Sequence, residues 1–247
     1  MNSKKLKIFM AFMMLLGVYV ASCVCLPMCV MGVDSGHSHS EGKEEGESGQ
    51  ININFTKKTV VIDSGHGGID PGKTSSEGLL EKDINLAIAK KLEVLLKNAG
   101  VDVVMTRTED MGHYNESDSN KKRADMKARC EIIERSNPDA VISIHQNSYS
   151  SASVKGAQMF YYEGSEEGKK LAGILQQAFV EQVDSSNKRV EKADDSYYIL
   201  LNTSAPAVIA ECGFLSNPGE AALLNTDDYQ QKVAEALCSG VLEYLLN

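Results

Sequence analysis

The feature that most restricts this chain is an alternation: short runs rich in β-branched residues take turns with apolar stripes at helical spacing. The runs Thr59–Asp63, Val101–Thr106, Ala140–His145, Ala157–Tyr162 and Ala207–Glu211 read as strands, most of them buried. After the first, Ile84, Ala87, Ile88, Leu92, Leu95 and Ala99 recur every three or four positions, and Gly100 follows as a stop. The same stripe returns in Met126, Cys130 and Ile133, in Leu171, Ile174, Leu175, Ala178 and Phe179, and in Val233, Leu237, Val241 and Leu245. Strands alternating with helices predict an α/β fold: a single domain with a mostly parallel central sheet flanked by helices on both faces.

That domain is expected over residues 56–247, a normal size for one α/β unit. Before it come two segments of other character. In residues 1–33, Lys4, Lys5 and Lys7 precede an uncharged apolar run, the pattern of a signal peptide or membrane anchor, and Val20-Ala21-Ser22-Cys23 also resembles a lipoprotein processing box. Each version carries the domain out of the cytoplasm, exported or tied to the membrane through this segment. Residues 34–55 begin DSGHSHSEGKEEGESGQ, too poor in apolar side chains to offset ordering entropy, and are expected as a disordered polar linker. His37 and His39 lie there, where nothing preorganises them as metal ligands.

A net charge of −9 and no evident basic face exclude nucleic acid as a partner. Cys130, Cys212 and Cys238 are scattered singly, so they form neither a disulfide framework nor a metal motif and are expected as buried free thiols.

The chemistry is expected on one rim. In a mostly parallel sheet the carboxyl ends of the strands lie together, and there the candidate strands offer His66 just past the first, His145 at the end of AVISIH and Glu211 at the end of AVIAE. Two histidines and a carboxylate can hold zinc and still leave a position for water, while a second carboxylate takes the water's proton. The carboxylates available are Glu77, Glu81 and Glu211, with Asp63 and Asp70 beside the glycine loop; position alone does not divide ligand from base. The glycines of VVIDSGHGGIDPG mark a sharp turn or a close approach. A nucleotide loop is excluded because the last glycine of GxGxxG is missing and no helix follows immediately. No GxSxG elbow occurs, and Cys212 reads as a small core residue rather than a nucleophile.

Taken together, VVIDSGHGGIDPG, GLLEKDINLAIAKKL, VVMTR, DAVISIHQNS and PAVIAECGFLSNPGEAALL resemble the zinc-dependent N-acetylmuramoyl-L-alanine amidases of bacterial cell walls, from about Val60 to the C-terminus. The resemblance implies a Zn2+ ion on His66, Glu81 and His145, with Glu211 as the catalytic carboxylate and peptidoglycan as substrate. Ser64 stands where the family usually has proline. RADMKARCEIIERSNPDAVISIHQNS and NKRVEKADDSYYILLNTSAPAVIAECGFLSN look like the spore-cortex, germination-related branch. Those enzymes strip peptide from muramic acid so that muramic δ-lactam can form, which implies action in the cell wall or the forespore intermembrane space. A vegetative wall amidase would share the catalytic set, and a silent peptidoglycan-binding domain would share the fold. The resemblance leaves open whether an activating protein partner is needed.

Two further residues are expected near substrate. Arg107 either clamps a stem-peptide carboxylate or forms a structural ion pair, and Asn147 either bonds a substrate amide or caps its loop. The charged stretch from Glu109 to Lys122 is expected as a mobile flap.

Overall fold

The computed structural model describes residues 58–247. The expected signal or anchor segment, the linker and His37 and His39 lie outside them. Among the described residues no helix is long and apolar enough to cross a membrane.

The elements run β1 (Thr59–Ser64), α1 (Glu81–Asn98), β2 (Asp102–Met105), α2 (Lys121–Ser136), β3 (Ala140–Asn147), β4 (Gln158–Tyr161), α3 (Glu166–Gln182), β5 (Lys192–Ala193), α4 (Tyr198–Leu201), β6 (Ala207–Phe214), α5 (Pro218–Leu224) and α6 (Asp227–Leu245). The sheet order is β2-β1-β3-β6-β4-β5. Every neighbouring pair is parallel except β4 against β6. The α/β fold with a mostly parallel sheet is therefore what the sequence predicted.

Parallel strands covered on both sides need apolar residues facing both ways, which is why β1, β3 and β6 are continuous runs. All eight residues of β6 are buried. On one face Val61, Val141 and Ile209 pack with Cys130 and Ile133 of α2 and with Ile199 and Leu200 of α4. The other helical layer is α1, α3 and α6: α6 packs against both α1 and α3, and those two contact the strands beneath. Leu171, Leu175 and Phe179 of α3 are almost fully buried, and each contributes about 2 kcal/mol through apolar area removed from water. Gly240 of α6 lets this layer close, because a Cβ there would come within 2.7 Å of the Leu175 side chain. Cys130, Cys212 and Cys238 are buried free thiols, as expected.

Three elements were not anticipated. β5 and α4 are too short to show a period. α5, by contrast, carried a readable start: Asn217 accepts from Glu220 N–H, and Pro218 sits in the first turn.

One helix start bears on the site. α1 begins at Glu81 with no side-chain cap on Leu80. Its first N–H groups bond to the glycine loop instead, Glu81 to the carbonyl of Lys73 and Lys82 to that of Pro71. The loop thus fixes where Glu81 stands.

Candidate active site

Two side chains reach the rim from adjacent strands. His145 and Glu211 are register partners on β3 and β6, with an irregularity just beyond, between His145 and Asn147. The third, His66, follows β1 in the left-handed conformation, with φ 62°. Holding a non-glycine residue there costs on the order of 1–3 kcal/mol, so surrounding contacts must enforce it. Two buried arginines do so. Arg129, 1% exposed, donates from Nη2 to the His66 carbonyl at 2.6 Å and from Nη1 to the Ser64 carbonyl at 2.7 Å. Arg107 donates to the carbonyls of Ser64, Gly65, Lys82 and Glu109.

Arg129 is neutralised where it lies. It meets Asp63 at 2.8 Å and Asp125 at 2.7 Å. Asp63 also accepts from Thr106 Oγ1 and Ser143 Oγ. Burial by itself would raise the Asp63 carboxyl, but the Arg129 charge and the two hydroxyls win and bring it to about 2.

The glycines have a specific use. A Cβ on Gly65 would collide with the His145 imidazole, and one on Gly72 would lie 2.5 Å from Glu81 Oε2 and 2.7 Å from the His66 ring. What approaches the loop is therefore the rest of the site.

Glu81 Oε1 lies 3.2 Å from His66 Nε2 and 3.0 Å from His145 Nδ1. Its position is set by N–H donors, Gln146 to Oε1 at 3.0 Å and Lys73 to Oε2 at 2.8 Å. Burial would push the Glu81 carboxyl up, yet the two imidazoles hold it well below the carboxylate range. Burial would likewise lower His145, and Glu81 overrides it to raise the imidazole instead. On the outer side His66 Nδ1 meets Asp70 at 3.0 Å, and Lys122 meets the other oxygen of Asp70 at 2.8 Å. A carboxylate behind a ligand histidine fixes its tautomer and ring direction.

These three residues form a group able to hold a metal ion, with one donor atom of each within 4.8 Å of the others. Tetrahedral zinc with bonds near 2.0–2.1 Å separates neighbouring ligand atoms by about 3.3 Å. The observed separations to Glu81 fit, and two imidazoles with one carboxylate are a donor set suited to an open zinc site. Beside the group, Glu211 is nine-tenths buried and its Oε2 has no hydrogen-bond partner among the described residues. Burial first, then the Glu81 charge, raises the Glu211 carboxyl, although His145 and Tyr197 pull the other way.

Residues 60–243 match the N-acetylmuramoyl-L-alanine amidase family. The chain belongs to this family. It is 35% identical over 190 residues to the germination-specific N-acetylmuramoyl-L-alanine amidase of Bacillus subtilis, covering 76% of this chain and 79% of that protein. It is 40% identical to the CwlD amidase of Clostridioides difficile, solved in complex with the GerS lipoprotein, with a TM-score of 0.75 over 76% of this chain and 98% of that one. The amidase AmiC2 of Nostoc punctiforme matches at 33% identity and a TM-score of 0.67, over 77% and 98% of the two chains.

Within this amidase domain the expected site residues separate. His66, Glu81 and His145 come together, and Glu211 stands next to His145. Glu77 does not join them; it lies on the surface and bonds Ser76. Arg107 is not placed as a carboxylate clamp: it is 2% exposed and its bonds all go to main-chain carbonyls. Asn147 accepts from Ser148 N–H, as a loop cap does. The stretch expected as a flap is laced down. Asp110 accepts from Gly68 N–H and Lys82, Tyr114 Oη accepts from Ile69 N–H, and His113 N–H donates to Asp125.

Asn85, Arg129, Gln146 and Tyr197 support the site and were not singled out from sequence. Arg129 carried a signal, since it falls three positions after Met126 and four before Ile133, on the buried face of α2.

Proposed function

We propose that this protein hydrolyses the amide between the lactyl group of N-acetylmuramic acid and the L-alanine of the stem peptide, with zinc held by His66, Glu81 and His145. The observation that carries this reading is the convergence of those three donors beside a buried carboxylate, Glu211, that keeps one oxygen unpaired. Family membership supplies the substrate class.

The chemistry that zinc supplies there when bound is Lewis acidity toward the scissile carbonyl and the attacking water. Glu211 takes the proton from that water through its free oxygen and delivers it to the departing amine of L-alanine. Asp70 keeps the His66 ring turned inward, and the bonds from Gln146 and Lys73 keep Glu81 from swinging away.

We further propose that the substrate is spore cortex, where removing the stem peptide frees muramic acid to close into its δ-lactam. The germination-specific relative and the CwlD amidase favour this branch. The complex of that amidase with a lipoprotein supports a protein partner here as well. Delivery across the membrane falls to the basic, then apolar, residues 1–33. The alternative, a vegetative wall role, draws support from the likeness to the probable cell wall amidase LytH of Staphylococcus epidermidis, 32% identical over 58% of that protein.

Digestion of purified cortex and of vegetative peptidoglycan, read by mass spectrometry, tests both levels. Intact stem peptides bearing a new L-alanine amine, lost with a chelator and restored by zinc, are expected. Truncated stem peptides would refute the bond assignment, and preference for vegetative wall would refute the cortex assignment.

A further inference from the structure

Tyr197 lies immediately before α4 and is tied to the sheet through its own turn. Asp194 N–H donates to the Tyr161 carbonyl at 2.9 Å, and the Asp194 carboxylate accepts from the Ser196 N–H and hydroxyl. The Tyr197 ring packs against Phe160, with centroids 5.5 Å apart. From there its hydroxyl donates to Glu211 Oε1 at 3.2 Å. The same ring lines a cavity of about 160 Å³ that reaches Gly65, His66 and His145. Tyr197 therefore touches both the carboxylate and the space beside the triad.

We infer that Tyr197 is a positioning residue for Glu211: its hydroxyl clasps one carboxylate oxygen so that the other is left free for proton transfer. This rests on Glu211 being the proton acceptor proposed above. Two observations meet here. Glu211 Oε2 is buried without a partner, and Oε1 receives the Tyr197 hydroxyl. A buried carboxylate with both oxygens unbonded would turn toward any available donor, and one with both oxygens held by donors would be a weaker base. Holding a single oxygen avoids both outcomes. A hydrogen bond to a charged group also resists rotation more strongly than a neutral one.

The neighbouring chemistry does not supply a substitute. Gln158 is the register partner of Glu211 on β4, but its side chain is engaged outward, with Val190 and Arg189. Cys212 bonds the Ala210 carbonyl. Among the described residues, Tyr197 is thus the side chain that donates to this carboxylate.

Tyr197→Phe removes the hydroxyl and keeps the ring against Phe160. Assayed on cortex fragments, kcat is expected to fall roughly ten- to hundredfold, the range set by a hydrogen bond to a charged group, with KM and zinc affinity by competition titration unchanged and the fold native by circular dichroism at the assay temperature. In a Glu211→Ala background the same change should lower the residual rate no further, because the hydroxyl acts through Glu211. An unchanged kcat, an equal loss in both backgrounds, or a loss that follows zinc affinity or folding would each overturn the inference. Inactivity of the wild type toward muramoyl-alanine bonds would instead sink the proposed function, so the two failures are distinguishable.

Discussion

Replacing Arg129 with methionine isolates the ionic cluster beneath the site. The guanidinium is 1% exposed and bonds Asp63, Asp125 and the carbonyls of Ser64 and His66. Methionine fills most of its volume and restores none of those bonds, so Asp63 is left charged in the interior and the two carbonyls lose donors. Breaking a buried pair from one side costs about 3–5 kcal/mol, a large share of the roughly 5–15 kcal/mol that holds a domain together. For a domain of this size the melting temperature should fall by roughly 6–20 °C. The cluster also sets an acid limit. Asp63 ionises at about 2 when folded against 3.8 ordinarily. A depressed carboxylate contributes stability that is complete above pH 4 and disappears as pH falls toward 2, on the order of 2 kcal/mol. In Arg129→Met the largest of the lowering influences on Asp63 is removed, so the acid side of its stability curve should be shallower than wild type. Adding Asp63→Asn should recover part of the loss at pH 7, since the buried charge goes while Thr106 and Ser143 keep a partner. Urea unfolding at several pH values checks all of this. A loss under about 1 kcal/mol, or no recovery with Asp63→Asn, would refute the assignment of the cluster.

Other outcomes follow from the site. Glu211→Gln should keep zinc, measured by metal analysis after dialysis, and lose about 10²–10⁴-fold in turnover; unchanged activity would remove Glu211 from its role. His145→Ala should lower bound zinc below one equivalent, and a full complement would count against ligation. Gly65→Ala should weaken zinc binding while far-ultraviolet circular dichroism stays native, because the added methyl meets the His145 ring; normal affinity would show that the loop yields.

The fold was legible because β1, β3 and β6 are apolar on both faces and the main helices keep a clean period. Those signals report burial, and burial is what the sheet imposes. The meeting of His66, His145 and Glu211 was legible because the sequence put them near the carboxyl ends of three parallel strands, although β3 and β6 run on to Asn147 and Phe214. Choosing between Glu81 and Glu77 was not a matter of spacing. It depended on the loop carbonyls of Pro71 and Lys73 that receive the first turn of α1, and such contacts leave no period in sequence. Arg107 was open between a carboxylate clamp and an ion pair because a strand-end arginine suits any anion, and nothing in the sequence showed that successive loop carbonyls would occupy it. Tyr197 sits between a two-residue strand and a one-turn helix, where no pattern points inward.

The three sulfhydryls among the described residues give the molecule a built-in record of its own opening. Cys130 belongs to one helical layer, Cys212 to the central strand β6 and Cys238 to the opposite layer. Burial first pushes each of them up, Cys130 to about 11 and Cys238 to about 12, with Cys212 shifted the same way. An alkylating reagent at neutral pH must wait for each layer to breathe, so the order in which the three positions are tagged reads out which part of the architecture lets go first.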